Sequence, residues 1–114
     1  MEKTIFKKII DKEIPADLIY EDDDVLAFND ISSQAPVHIL IIPKLEIPTL
    51  NDLEKSHDLL IGKIIRIAKN IAKEKDIEKK GYRLIFNCNQ DGGQTVFHLH
   101  CHLMGGRKLN WPPG

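Results

Sequence analysis

Three histidines, His98, His100 and His102, occupy every second position of the stretch "DGGQTVFHLHCHLMGG". The chain has only 5 histidines in 114 residues, so the cluster asks for a chemical reason. Imidazole is a nucleophile, and it moves protons near neutral pH. Its phosphoryl and acyl adducts are labile, so water can finish a reaction that a ring nitrogen begins. In an extended strand successive side chains alternate between faces. A strand over residues 96–104 then shows His98, His100 and His102 on one side and Phe97, Leu99, Cys101 and Leu103 on the other. The second set reads as core under a helix, and the imidazoles read as a displayed chemical face. Cys101 has nucleophile chemistry but falls on the apolar side.

Two other readings compete. Imidazole is a common zinc ligand. At about 3.3 Å per residue His98 and His102 would lie roughly 13 Å apart along the strand, whereas zinc–nitrogen bonds are about 2.0–2.1 Å. One ion cannot bind all three. Two neighbouring members together with His38 could chelate an ion adventitiously, but no metal or other cofactor is expected to work here. A histidine-rich strand that faces water and serves structure alone is the plainer alternative. Three rings on one face beside a glycine-rich loop count against it.

That loop is "NQDGGQT", residues 89–95. Gly92 and Gly93 let the backbone take positive φ and approach a ligand closely. Successive N–H groups in such a turn form an anion-binding concavity. Gln94 and Thr95 add polar side chains. The loop is neither a P-loop nor a dinucleotide fingerprint, since no GK[ST] and no following helix are present. An anion held there sits beside the triad, and a phosphate attacked in line by histidine uses both parts. In "AFNDI", Asp30 offers two acceptor oxygens that suit ribose hydroxyls, with Phe28 and Ile31 as an apolar shelf. It could equally be the ordinary cap of a strand end. His38 is either a satisfied core histidine or a partner of the triad, and His57 reads as partly buried surface.

The elements that must position these residues follow from pattern. Thr4 is a suitable N-cap for a helix over 4–12 with Ile5, Ile9 and Ile10 along one stripe. Glu-Ile-Pro stops it. Strands are expected at 18–21 and 25–30 around the acidic turn "DDD", at 37–44, at 82–89 and at 96–104. "VHILIIPK" is too apolar for alternation, so both of its faces should be covered. A long helix over 51–74 aligns Leu53, His57, Leu60, Ile61, Ile64, Ala68, Ile71 and Ala72. The sum is an α+β fold: a five-stranded antiparallel sheet with two helices on one face, in a single domain over 1–114.

Composition excludes more than it selects. With 42% hydrophobic and 29% charged residues and a net charge of −1, the chain gives no general electrostatic reason to bind nucleic acid or anionic membrane. No run of about 20 apolar residues is present. "MEKTIFKKIIDKE" is charged rather than signal-like, so a cytoplasmic setting is expected, with Cys88 and Cys101 reduced.

The pattern His98-Leu-His100-Cys-His102-Leu-Met resembles the motif that names the histidine triad superfamily. "IFKKIIDKEIPADLIYEDDDVLAFNDISSQAPVHILIIPK" and "DGGQTVFHLHCHLMGGRKLNWPPG" are similar to its nucleotide-binding branch, the purine nucleoside phosphoramidases. The likeness runs along nearly the whole chain and is weakest in the long helix. It implies a homodimer whose two sheets join into one of ten strands. It implies hydrolysis of adenosine or guanosine 5′-phosphoramidates to a nucleoside monophosphate, such as AMP, and an amine. His100 would be the nucleophile, His102 would meet the phosphate and could protonate the amine, and His98 and His38 would support them. Gly93, Thr95 and Asn87 would flank the α-phosphate, with Gln94 beside them in the loop. Asp30 would hold the ribose. Phe6, Ile9, Ile14, Phe28, Ile31 and Leu40 would line the purine pocket, and Trp111 would reach the partner's site. Thr95, Asn29 and Glu46 stand where relatives often carry Ser, His and His, which bears on substrate preference. A nucleotide-binding scaffold with incidental turnover, or a dinucleoside polyphosphate hydrolase, are the competing functions.

Overall fold

The computed structural model describes residues 2–114. Helix α1 (Ile5–Ile10) is capped by Thr4, whose Oγ1 accepts the Lys7 N–H at 3.1 Å. Strands β1 (Leu18–Glu21) and β2 (Val25–Asn29) form a hairpin, followed by β3 (Val37–Pro43). Helix α2 (Asp58–Glu74), β4 (Tyr82–Ile85) and β5 (Cys101–Gly105) complete the chain. The five strands run antiparallel in the order β1-β2-β3-β5-β4. Among the described residues no helix is long and apolar enough to cross a membrane.

Both sheet faces are covered, each by its own helix. Val25, Ala27, Ile39, Ile41, Cys101 and Leu103 pack with Ile64, Ile67, Ala68, Ile71 and Ala72 of α2. Leu26, Phe28, Leu40 and Ile42 pack with Phe6 and Ile9 of α1. The two helices therefore lie on opposite faces, not on one as expected. The reason is visible in β2 and β3, where Val25–Phe28 and Ile39–Ile42 are all apolar and bury both ways.

Three elements are shorter than the pattern suggests, two cut by side chains that bond the backbone and one by a bond between main-chain groups. Before α2, Asp52 accepts the Thr49 N–H at 3.0 Å and His57 Nδ1 accepts the Glu54 N–H at 3.0 Å. These bonds hold two 3-10 turns, Leu50–Asp52 and Lys55–His57, with extended Leu53 between them, where helix was expected from 51. His57 is thus a turn cap. β4 gives way before Asn89, which takes φ +60° and gives its N–H to Gln94 Oε1 at 2.9 Å. Residues 96–100 bend rather than pair, since Leu99 N–H goes to the Ile47 carbonyl at 2.6 Å. Phe97 consequently leaves the core face and is 49% exposed, whereas Leu99, Cys101 and Leu103 are buried as expected.

Ile71 is buried at the centre of the α2 face and Leu59 is 90% exposed on the same helix. Truncating Ile71 to alanine should cost about 2–5 kcal/mol; the Leu59→Ala change should stay within about 0.5 kcal/mol. Urea unfolding of the two variants checks the pair.

Candidate active site

The sheet register brings His38 and His102 together. Leu40 pairs with His102 and His38 with Met104, so the two histidines are diagonal neighbours on the α1 face. Their rings meet at 2.9 Å, His38 Nε2 to His102 Nδ1. The Gln34 backbone N–H donates to His38 Nδ1 at 3.0 Å. An N–H needs a lone pair, so His38 carries its proton on Nε2 and donates it to His102 Nδ1. Neutral His102 then holds its own proton on Nε2. His38 Nε2 also stands 3.4 Å from Asp30 Oδ2.

The same reasoning fixes the other two rings. A carbonyl only accepts, so His100 Nδ1 donates to the His98 carbonyl at 2.8 Å. That leaves His100 Nε2 with a free lone pair. His98 Nε2 donates to the Pro43 carbonyl, at the end of β3, at 2.7 Å. Among the described residues no buried side-chain nitrogen or oxygen lacks a partner.

The imidazoles are not on a displayed face, as the sequence suggested. His98, His100 and His38 are buried and His102 is half-buried, with Phe6 of α1 laid against His98 and His100. Phe6 stands edge-on to His98 and His100, with ring centres 6.3 and 5.0 Å away, and to Phe28 at 5.6 Å. Burial holds His98 and His100 below the ordinary imidazole range. For His102, burial joined by the neighbouring His100 and His38 pushes the ring down to about 4. The triad is therefore neutral near pH 7. Cys101 lies on the opposite, α2 face, where burial pushes its thiol up to about 12.

The glycine loop is built tightly. A Cβ on Gly92 would stand 2.5 Å from the Cys88 carbonyl, and Gly93 has φ +82°. Gln94 is buried, and its side chain is committed to the protein. Its Oε1 takes the Asn89 N–H, and its Nε2 donates to the carbonyls of Pro48 at 2.8 Å and Val96 at 3.0 Å. Gln94 is thus the strut of the loop, with no side-chain hydrogen left to offer. Thr95 beside it is exposed. Loop and triad are tied to one segment, 43–48, through Pro48, Ile47 and Pro43.

Other expected residues gather less closely. Asp30 Oδ1 accepts the Ser32 N–H at 2.8 Å, which leaves lone pairs on both oxygens for a ligand. Phe6, Ile9, Phe28 and Leu40 form one buried cluster with Ile14 against its edge. Ile31 is fully open to solvent. Asn87 is half-buried and follows β4 by two residues. Trp111 is 81% exposed, near Arg83, whose guanidinium carbon lies 5.9 Å from the ring centre. Sequence reasoning missed the backbone groups that orient the rings, namely Gln34 N–H and the carbonyls of Pro43 and His98. No side-chain pattern encodes them.

A sequence profile described as the HIT domain matches residues 11–109. The chain belongs to the HIT domain family. It is 56% identical over 108 residues to the purine nucleoside phosphoramidase of Escherichia coli (strain K12), covering 95% of this chain and 91% of that protein. The crystal structure of a HIT family hydrolase from Legionella pneumophila Philadelphia 1 superposes with a TM-score of 0.97 at 48% identity, covering 98% of this chain and 100% of the other. A histidine triad protein from Clostridium difficile follows with a TM-score of 0.91 at 46% identity, over 96% and 97% of the two chains.

One cluster in this HIT domain has the outline of a metal site. Ligand atoms of Asp30, His38 and His102 lie within 4.8 Å of one another. It includes only one triad member, where the sequence suggested two. The tautomers oppose its use. The only free lone pair of His38 is taken by Gln34 N–H, so the nitrogen facing the cluster bears a proton and cannot bind a cation without breaking that bond.

Burial of neutral rings has a pH signature. Unfolding raises the pKa of His102 from about 4 to its ordinary 6.5, so the unfolded chain binds more protons between these values. Its contribution is intact above pH 6.5 and is lost as pH falls toward 4. His98 and His100 act in the same direction. Thermal melts between pH 7.5 and 4.5 should show a falling midpoint, and His102→Gln should flatten part of that slope.

Proposed function

We propose that this chain is a single-domain hydrolase that cleaves purine nucleoside 5′-phosphoramidates to the nucleoside monophosphate and an amine. The observation that carries the reading is the tautomer of His100, whose Nδ1–H is held by the His98 carbonyl so that Nε2 presents a lone pair. Identity of 56% to a phosphoramidase supports the substrate class.

The nucleotide sits with its α-phosphate on the loop backbone at Gly93, near the Thr95 hydroxyl and Asn87. Asp30 accepts the ribose hydroxyls, and the base rests on the apolar cluster of Phe6, Ile9, Ile14, Phe28 and Leu40 with Ile31 at its rim. His100 Nε2 attacks phosphorus as the P–N bond to the amine breaks. The ring becomes cationic, and its bond from Nδ1 to the His98 carbonyl becomes charge-assisted. His102 donates from Nε2 to the phosphate, while its Nδ1 keeps the hydrogen bond from His38. The departing nitrogen takes one proton from solvent and leaves as the neutral amine. Water then attacks phosphorus, the P–Nε2 bond breaks, and one water proton passes to solvent. His38 and His98 orient the working rings. Gln94 shapes the phosphate loop from behind.

The protein works as a homodimer in the cytoplasm. β4 ends the strand order, so one side of it offers unpaired backbone groups to a second copy. Phe97 and Trp111 are large apolar surfaces of the kind that such an interface covers.

Turnover of adenosine 5′-phosphoramidate, followed by amine release with chelator present, tests the chemistry. Wild type should turn over, and His100→Ala should lose on the order of a thousandfold or more in kcat while still binding AMP. Binding without turnover in the wild type would make the protein a nucleotide-binding module instead. Sedimentation at micromolar concentration should give a dimer, and a monomer there would remove that part of the proposal.

A further inference from the structure

After β5 the chain turns back over the loop between β2 and β3. Gly106, at φ +90°, lies so close that a Cβ on it would be 2.9 Å from Pro36 Cβ. Arg107 then grips the loop. Its Nε and Nη2 both donate to the Gln34 carbonyl, at 3.1 and 2.9 Å, and its Nη1 donates to the Lys108 carbonyl at 3.0 Å. Gln34 is the same residue whose N–H reaches His38 Nδ1 at 3.0 Å. The far end of that loop is also tied down, through Asp30 N–H to the His38 carbonyl at 2.9 Å.

We propose that Arg107 is a positioning residue for the reaction, holding Gln34 so that its N–H keeps the His38 proton on Nε2. This rests on the phosphoramidase reading. The consequence reaches His102 through the 2.9 Å bond between the rings. With the proton on His38 Nε2, His102 Nδ1 accepts, and the His102 proton lies on Nε2. If His38 instead carries its proton on Nδ1, its Nε2 becomes an acceptor and His102 must donate from Nδ1. His102 Nε2 then loses its proton, and the relay points the wrong way. A guanidinium with two donors on one carbonyl, on the far side of Gln34 from the site, sets this direction without touching substrate.

Arg107 is exposed, so its replacement should fold. Wild type, Arg107→Met, Arg107→Lys and Ile71→Val are compared by nitrogen-15 shifts of the imidazole rings and by kcat and KM for adenosine 5′-phosphoramidate. Wild-type His38 should show one tautomer, protonated on Nε2. Arg107→Met should show averaged shifts at His38 and His102, with kcat lower by about tenfold and KM within about twofold. Arg107→Lys, with one donor in place of two, should recover part of both. Ile71→Val loosens the core away from the site and should match wild type in both. Unchanged shifts and kcat in Arg107→Met would overturn the proposal, as would an equal loss in Ile71→Val. A wild type without turnover, whose His38 tautomer still depends on Arg107, would sink the proposed reaction and leave the clamp standing.

Discussion

The bond from His100 Nδ1 to the carbonyl two residues earlier is the constraint around which the site is organised. Left alone, imidazole exchanges its proton between two nitrogens. A carbonyl removes that freedom, because it can only accept. Around this bond residues 96–100 leave the sheet, where Leu99 N–H turns to the Ile47 carbonyl, and β5 begins at Cys101. Backbone carbonyls are well suited to this work. They do not titrate, and their position is set by the main chain rather than by a rotamer.

Burial supplies the second half of the arrangement. Four histidines gathered in water would titrate near neutrality and repel one another once charged. With Phe6 of α1 laid edge-on against two of them, the three triad rings stay neutral and their hydrogen bonds keep fixed directions. The sheet has to be apolar on both faces to allow this, since one face carries the main core and the other must seal the site. That requirement is written into β2 and β3, where every position from Val25 to Phe28 and from Ile39 to Ile42 is buried apolar.

Much of this was legible in the chain. The period of two in the triad, the Thr4 cap, the doubly apolar β3 and the apolar stripe of α2 each follow from local rules. What misled was competition from polar side chains. Asp52, His57 and Gln94 bond nearby backbone and shorten elements that periodicity alone extends. The placement of α1 on the opposite face could not be read from its own six residues, because a short amphipathic helix fits either side. Gln94 looked like a ligand contact by its place in the loop, but its amide is spent inside the protein. The orienting groups of the site are main-chain atoms, which every residue possesses, so composition gives no hint of them.

Cys101 stands between two working imidazoles in the chain yet belongs to a different compartment. The pleat turns its sulfur into the α2 core, where a thiol held near 12 has almost no thiolate at physiological pH. A strand of alternating faces thereby separates two reactive side-chain chemistries that are adjacent in sequence. Oxidants and alkylating agents that seek thiolate find none there, and the histidine chemistry next door needs no protection from redox change. The sheet acts as a partition, and one peptide unit is all its thickness.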